Sequence, residues 1–199
     1  FEDKLLDVNH KQDYRIIGQL FDTYWLIEFE DSFYMMDQHA AHEKILYERL
    51  MKQFHEKTYH SQMIMPPVIL TLSLREEQIL KENWKTFTAL GYEIEEFGGK
   101  EYKVTGLPAE LPTVIDCKQL LIELIDTIAD ESATHDPERI TEKVASMSCK
   151  AAVKGNNRLS FKEAEELMRE LMEAENPYNC PHGRPTLIKM TKYEIERKF

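Results

Sequence analysis

The apolar positions of this chain change period several times, and each change marks an element. Residues 14–37 alternate or run apolar, broken at Asp22-Thr23 and Asp31-Ser32. This predicts three short strands, near 14–21, 24–29 and 33–36, joined by tight turns. From about His39 to Phe54 the spacing turns helical, with Ile45, Leu46, Leu50 and Phe54 on one side. Pro66-Pro67 opens a further apolar run at 68–72. Ser73 with Glu76 is a capping-box pattern and starts a helix that Gly91 ends. Segments 92–97 and 101–105 flank Gly98-Gly99-Lys100, a hairpin signal. Asp116 caps a helix running to about Asp130, and Asp136-Pro137 starts another that ends near Gly155-Asn156. Ser160 with Glu163 begins an acidic helix that Asn176-Pro177 stops. A loop, 178–185, leads to a strand at 186–190, and Thr191 with Glu194 starts a last short helix.

The order of these elements predicts an α+β fold of two mixed α/β subdomains. One comes from both ends of the chain, 14–58 with 136–199. The other, 59–135, is an inserted βαββα-type unit. Among 199 residues, 42% are apolar with 7 Gly and 8 Pro, so neither a disordered nor a fibrous chain is expected. No apolar run is long enough to span a bilayer as a helix. The chain begins at Phe1 and reads as a piece of a longer protein.

The formal charge of −11 changes the picture for one partner. Phosphate neutralisation supplies most of a DNA-binding protein's affinity, so this chain should bind duplex DNA weakly on its own. Three scattered cysteines, Cys117, Cys149 and Cys180, are an odd number and argue for a reducing compartment over a disulfide framework.

Three segments carry candidate chemistry. In Asp37-Gln38-His39-Ala40-Ala41-His42-Glu43 a strand gives way to a helix. His39 and Glu43, four apart, then share a face, and Asp37 can turn toward the same point. An imidazole with two carboxylates suits zinc or manganese, whereas the plainer reading is a capped helix start with a surface His–Glu pair. In Cys180-Pro181-His182-Gly183-Arg184-Pro185 the Cys and His can share an ion, and Arg184 can hold a phosphate or carboxylate. Taken alone, Cys-x-His is a weak signal. Cys149, in Ser148-Cys149-Lys150, is either a buried apolar side chain or a further ligand. Together Asp37, His39, Glu43, Cys149, Cys180 and His182 suffice for a closed zinc site beside a more open, oxygen-rich one for manganese or magnesium. Glu48 lies about 140° round the helix from Glu43 and should not reach the same ion. It reads as a residue supporting the site, a contact between subdomains, or an ordinary exposed glutamate.

Asp37-Gln38-His39-Ala40, two residues, Glu43, four residues, Glu48 resembles in full the endonuclease motif of the C-terminal domain of MutL-type mismatch-repair proteins. That family's later motifs follow in order: Ser148-Cys149-Lys150, Cys180-Pro181-His182-Gly183-Arg184-Pro185, and part of a C-terminal one at Glu196-Arg197-Lys198-Phe199. The resemblance spans residues 14–199. It implies a homodimeric, metal-dependent endonuclease domain that nicks one strand of duplex DNA, with bound Zn2+ and activating Mn2+. It carries the ligand roles to His39, Glu43, Cys149, Cys180 and His182. It makes Asp37 the essential carboxylate, so that Asp37, His39 and Glu43 form the catalytic set, with Glu48 and Arg184 behind them.

The same resemblance implies an N-terminal ATPase domain, the mismatch-recognition protein MutS and the polymerase sliding clamp as partners. It also implies a cytoplasmic, nucleoid-associated place in a bacterium and no membrane. Gln62-Met63-Ile64-Met65-Pro66 resembles the family's clamp-binding stretch; otherwise it is an edge strand entering Pro66-Pro67. The alternative to a nuclease is a non-catalytic dimerisation scaffold with a structural zinc, and the intact Asp37 and Glu43 count against it.

Overall fold

The apolar residues that alternate or run through the first strands build a sheet in which alternate positions are buried. The computed structural model describes residues 14–112, 115–131, 137–153 and 158–199. Strands β1 (Arg15–Leu20), β2 (Tyr24–Phe29) and β3 (Ser32–Asp37) form an antiparallel meander. Its last neighbour is β7 (Leu187–Thr191), giving the order β1-β2-β3-β7. Trp25 pairs with Met36 and Ile27 with Tyr34, so one pleat face carries all four into the core.

A helix covers that face. Helix α6 (Phe161–Glu173) starts at a reciprocal capping box between Ser160 and Glu163, which satisfies two amides that would otherwise be orphaned. Ala164, Leu167, Met168, Leu171 and Met172 recur at the spacing of one helical stripe and are buried against Trp25, Ile27, Phe29 and Leu187. The helix ends at Glu173, ahead of the predicted stop at Asn176-Pro177, because Ala174 is already extended (ψ 147). Thr191 and Glu194 form another capping box at the start of the short α7 (Lys192–Glu196). The opposite sheet face is apolar too. Leu26, Met35 and Ile188 lie in register across β2, β3 and β7, and Ile188 is 48% exposed.

The chain divides into two compact units, residues 1–48 with 153–199, and residues 49–152. The division falls inside α1 (Gln38–Glu56) and at the end of α5 (Pro137–Val153), not near residues 58 and 136. Position 136, the expected cap of α5, lies outside the described residues, as do Gly155 and Asn156 at its expected end.

In the second unit β4 (Ser61–Thr71), β6 (Glu101–Pro108) and β5 (Glu93–Gly98) make an antiparallel sheet in the order β4-β6-β5. Helix α4 (Cys117–Glu131) packs on β4 and on α2 (Leu74–Glu82), and the Asp116 carboxylate accepts from the Gln119 amide at 3.0 Å to start it. The helix expected to run from Ser73 to Gly91 is two: α2, then α3 (Trp84–Ala89). Asn83 divides them, since its side-chain amide donates to the Ile79 carbonyl at 2.9 Å and competes with the helical ladder. Gly91 is required where it stands: its φ is +93°, and a Cβ there would lie 2.7 Å from the His60 carbonyl oxygen. Among the described residues no helix is long and apolar enough to cross a membrane.

Removing Leu171, fully buried on the stripe of α6, should leave a cavity the sheet cannot close. Leu171→Ala is expected to cost about 2–5 kcal/mol in urea unfolding, while Lys162→Ala on the exposed face of α6 stays within about 0.5 kcal/mol. Equal losses would mean that the stripe is not what holds α6 to the sheet.

Candidate metal centre

The site begins where β3 stops. Asp37 ends the strand, and its Oδ1 accepts from the backbone amides of His39 at 2.9 Å and Ala40 at 3.1 Å. The carboxylate therefore caps α1, and its charge suits the positive helix start. Ala40 and Ala41 are fully buried, and small side chains there let the first turn sit close to the sheet. One turn on, Glu43 is only 4% exposed. A buried carboxylate needs partners. It has two: the Arg184 guanidinium donates to Glu43 Oε2 at 2.8 Å, and His182 Nδ1 lies 3.2 Å from the same oxygen. The hydrogen bond to Glu43 holds the Arg184 guanidinium above its usual range, with a smaller push from Cys180.

The loop that supplies those partners is braced by its own backbone. Cys180 N donates to Arg184 O and Gly183 N to Cys180 O, both at 2.9 Å. Gly183 takes a left-handed φ of +76° that makes this tight return possible. Thr186 N donates to Tyr178 O at 2.9 Å, and the Thr186 hydroxyl donates to the Pro177 carbonyl. Thr186 O in turn accepts from Asp37 N at 2.9 Å, which sets the loop's end beside the start of α1. At the other end of the loop, Glu48 accepts from the amides of Glu175 at 2.9 Å and Asn176 at 3.4 Å. Lys44 pairs with the same carboxylate at 2.8 Å. Glu48 thus ties α1 to the approach of the loop.

The outcome is a cluster of donors. One ligand atom each from Glu43, Cys180 and His182 lies within 4.8 Å of the others. Carboxylate oxygen, sulfur and imidazole nitrogen together suit zinc. Asp37 and His39 stand outside this trio; His39 Nδ1 is 4.0 Å from Asp37 Oδ1. Cys149 belongs to the second unit, fully buried on α5. Beside it, Ser148 Oγ lies 2.6 Å from the Tyr92 hydroxyl. Cys117, in no proposed ligand set, has its thiol pushed up to about 11 by burial and by Asp116, which keeps it protonated and unreactive.

Two side chains beside the ligands escaped the sequence reading. His42 is held below the ordinary histidine value by burial and by the neighbouring His39. Gln38 is 2% exposed, and its Oε1 accepts from Trp25 Nε1 and from Gln19 Nε2, each at 3.1 Å. The only sequence signal for Gln38 was its place between Asp37 and His39. The clamp-like stretch also departs from expectation. Gln62 Nε2 donates to the Pro108 carbonyl at 3.1 Å and to that of Leu111, so its amide is engaged inside the second unit. Met63 and Met65 are 75% and 79% exposed, on a bulge where pairing jumps from Met63↔Gly106 to Val68↔Val104.

Comparison with known proteins gives the family. A sequence model described as "MutL C terminal dimerisation domain" matches residues 17–159. The chain belongs to the MutL C-terminal dimerisation-domain family. DNA mismatch repair protein MutL of Agathobacter rectalis is 52% identical over 199 residues, all of this chain and 31% of that protein. The protein of the same name from Caldanaerobacter subterraneus subsp. tengcongensis is 38% identical over 193 residues, 97% of this chain and 32% of its own. That of Clostridium perfringens is 38% identical over 185 residues, 93% of this chain and 27% of its own. The chain therefore spans about a third of the length of the MutL proteins it matches.

His42 gives this centre a testable pH dependence. The fold favours the neutral imidazole, so protonation favours the unfolded chain; stability is present at higher pH and lost as pH falls through the ordinary histidine range. With a chelator present, urea unfolding should show stability falling between about pH 7.5 and 5.5, and His42→Gln should flatten that slope. An unchanged slope in the variant assigns the loss to other groups.

Proposed function

We propose that this chain is the metal-dependent DNA-nicking module of a MutL-type mismatch-repair protein, and that it also joins two copies of that protein. The observation that carries the reading is the meeting of Glu43, Cys180 and His182 beside the carboxylate-capped start of α1. Zn2+ is the ion this donor set favours; Mn2+ is the activating ion for the more oxygen-rich position near Asp37 and His39. Cys149 is proposed as a further ligand, from the family resemblance. A divalent cation held there would supply positive charge to a phosphate oxygen and acidify the attacking water.

The chain's own groups do the rest. Arg184 is half-exposed at its side chain and ends on Glu43. Once Glu43 is engaged elsewhere, that planar fork is available to hold the scissile phosphate bidentately. Asp37 uses Oδ1 alone for the helix cap, so Oδ2 takes the proton of the attacking water. The charge of −11 leaves little affinity for phosphates. The DNA is delivered instead by tethered partners: the N-terminal ATPase domain, MutS and the sliding clamp.

The direct test uses supercoiled plasmid with manganese. The parent should nick it, and Asp37→Asn should slow nicking on the order of 100-fold or more while retaining bound zinc. Cys180→Ser should lower zinc content by elemental analysis. A parent that holds zinc but never nicks, even with its partners, would leave the scaffold reading standing.

Dimerisation is assigned to the apolar sheet face of Leu26, Met35 and Ile188, which pairs naturally with its own copy about a two-fold axis. Sedimentation should give a dimer mass at micromolar concentration, and Ile188→Lys should give a monomer. A dimeric Ile188→Lys variant places the interface elsewhere.

The clamp is assigned to the β4 bulge. Because Gln62 is engaged internally, the contact rests on Met63, Ile64, Met65 and Pro66. Met63→Ser with Met65→Ser should abolish clamp stimulation of nicking, and full stimulation in that variant would remove the bulge from the interface.

A further inference from the structure

Between the two proposed ligands Asp37 and His39 stands a residue with no role so far. Gln38 is 2% exposed, so its amide has left water and must be answered by the protein. An indole N–H can only donate, so Trp25 fixes which end of the Gln38 amide faces it. Gln38 Oε1 faces Trp25, and Gln19 Nε2 donates to the same oxygen, each at 3.1 Å. The backbone of Gln38 binds the same hairpin: its N–H donates to Thr23 O at 3.0 Å. One position further back, Asp37 N donates to Thr186 O, at the end of the Cys180–His182 loop. The two residues that start α1 are thus held on both flanks, by the β1–β2 hairpin on one side and the ligand loop on the other.

We propose that Gln38 is a positioning residue for the metal centre, fixing the rotation of the first turn of α1 through Trp25 and Gln19. This rests on the metal-dependent reading above. The geometric reason is the helical lever. His39 and Glu43 follow Gln38 by one and five residues, so their directions are set by how the first turn is rotated about the helix axis. A cap alone leaves that rotation soft, because Asp37 can swing with the turn whose amides it holds. A buried acceptor gripped by an indole and a second amide from the sheet removes the freedom. Trp25 is well placed to transmit it, since its ring is 1% exposed and packed in the core.

The test compares Gln38→Met, which keeps length and loses the acceptor, with Leu171→Ala, which damages the core packed on Trp25 but removes none of the hydrogen bonds at the junction. The first readout needs no metal: hydrogen exchange of the His39 and Ala40 amides, the pair held by Asp37, in the chelated chain. Gln38→Met should speed exchange at both by about tenfold, the size expected when one buried hydrogen bond is lost from the local opening equilibrium. Leu171→Ala should leave both at their parent ratio to the Leu167 amide. The second readout is the zinc midpoint, measured by competition with a chromophoric chelator. Gln38→Met should weaken it by about 10–100-fold and Leu171→Ala by under about twofold. Trp25→Phe, which loses the donor and leaves a smaller aromatic ring in the core, should fall between parent and Gln38→Met, with Leu171→Ala giving the share due to core damage alone; it decides the question if Gln38→Met fails to fold. Unchanged exchange at His39 and Ala40 in the folded variants overturns the proposal. A parent chain that binds no zinc, with those amides still responding to Gln38→Met, removes the metal reading and leaves the positioning role in place.

Discussion

The capping of α1 by Asp37 is the contact on which the rest of the proposed centre depends. A strand and a helix meet there with no linker, so one carboxylate satisfies the free amides at the start of the helix that carries Glu43. Its backbone N–H holds Thr186 and so the end of the Cys180–His182 loop. Glu43 follows one turn later, deep enough that only charged or polar partners can keep it there. Those partners are Arg184 and His182. The guanidinium answers the charge of that buried carboxylate.

The loop that carries both is closed by its own backbone hydrogen bonds. An Arg, a His and a Cys within five residues of each other could splay in many directions. The return from Cys180 to Arg184, closed at Gly183, aims all three at one carboxylate. Glu48 secures the approach to that loop from a little over one turn beyond Glu43 on α1. Glu43 and Glu48 therefore divide the work: the first meets the ligand cluster, the second fixes the chain that brings the cluster in. Family membership places this geometry in a dimerisation domain of mismatch-repair proteins.

Much of this was legible in the sequence, for local reasons. The meander of β1 to β3 follows from short apolar stretches broken at Asp22-Thr23 and Asp31-Ser32, and the capping boxes at Ser73, Ser160 and Thr191 follow from one residue and its third neighbour. Both segments of the candidate site were visible as motifs, yet their geometry was only half visible. Helical spacing put His39 and Glu43 on one face, but it could not tell that Glu43 would meet Cys180 and His182 while His39 stood apart. Nor could it tell that the Gln62 amide would be occupied by the carbonyls of Pro108 and Leu111, nearly fifty residues away. Asn83 hid because apolar spacing continues across it from Ile79 to Phe87, so periodicity alone runs two helices together. Gln38 hid because a glutamine shows its partners only once the strand carrying Trp25 lies beside it.

The central claim is that Glu43, Cys180 and His182 form one metal centre beside Asp37, and an anomalous-difference map from zinc-soaked crystals tests it most directly. The account predicts one strong peak at about 2.0–2.3 Å from Glu43, Cys180 and His182, with Arg184 turned away from Glu43. No peak there, with Arg184 still bound to Glu43 at saturating zinc, would contradict it.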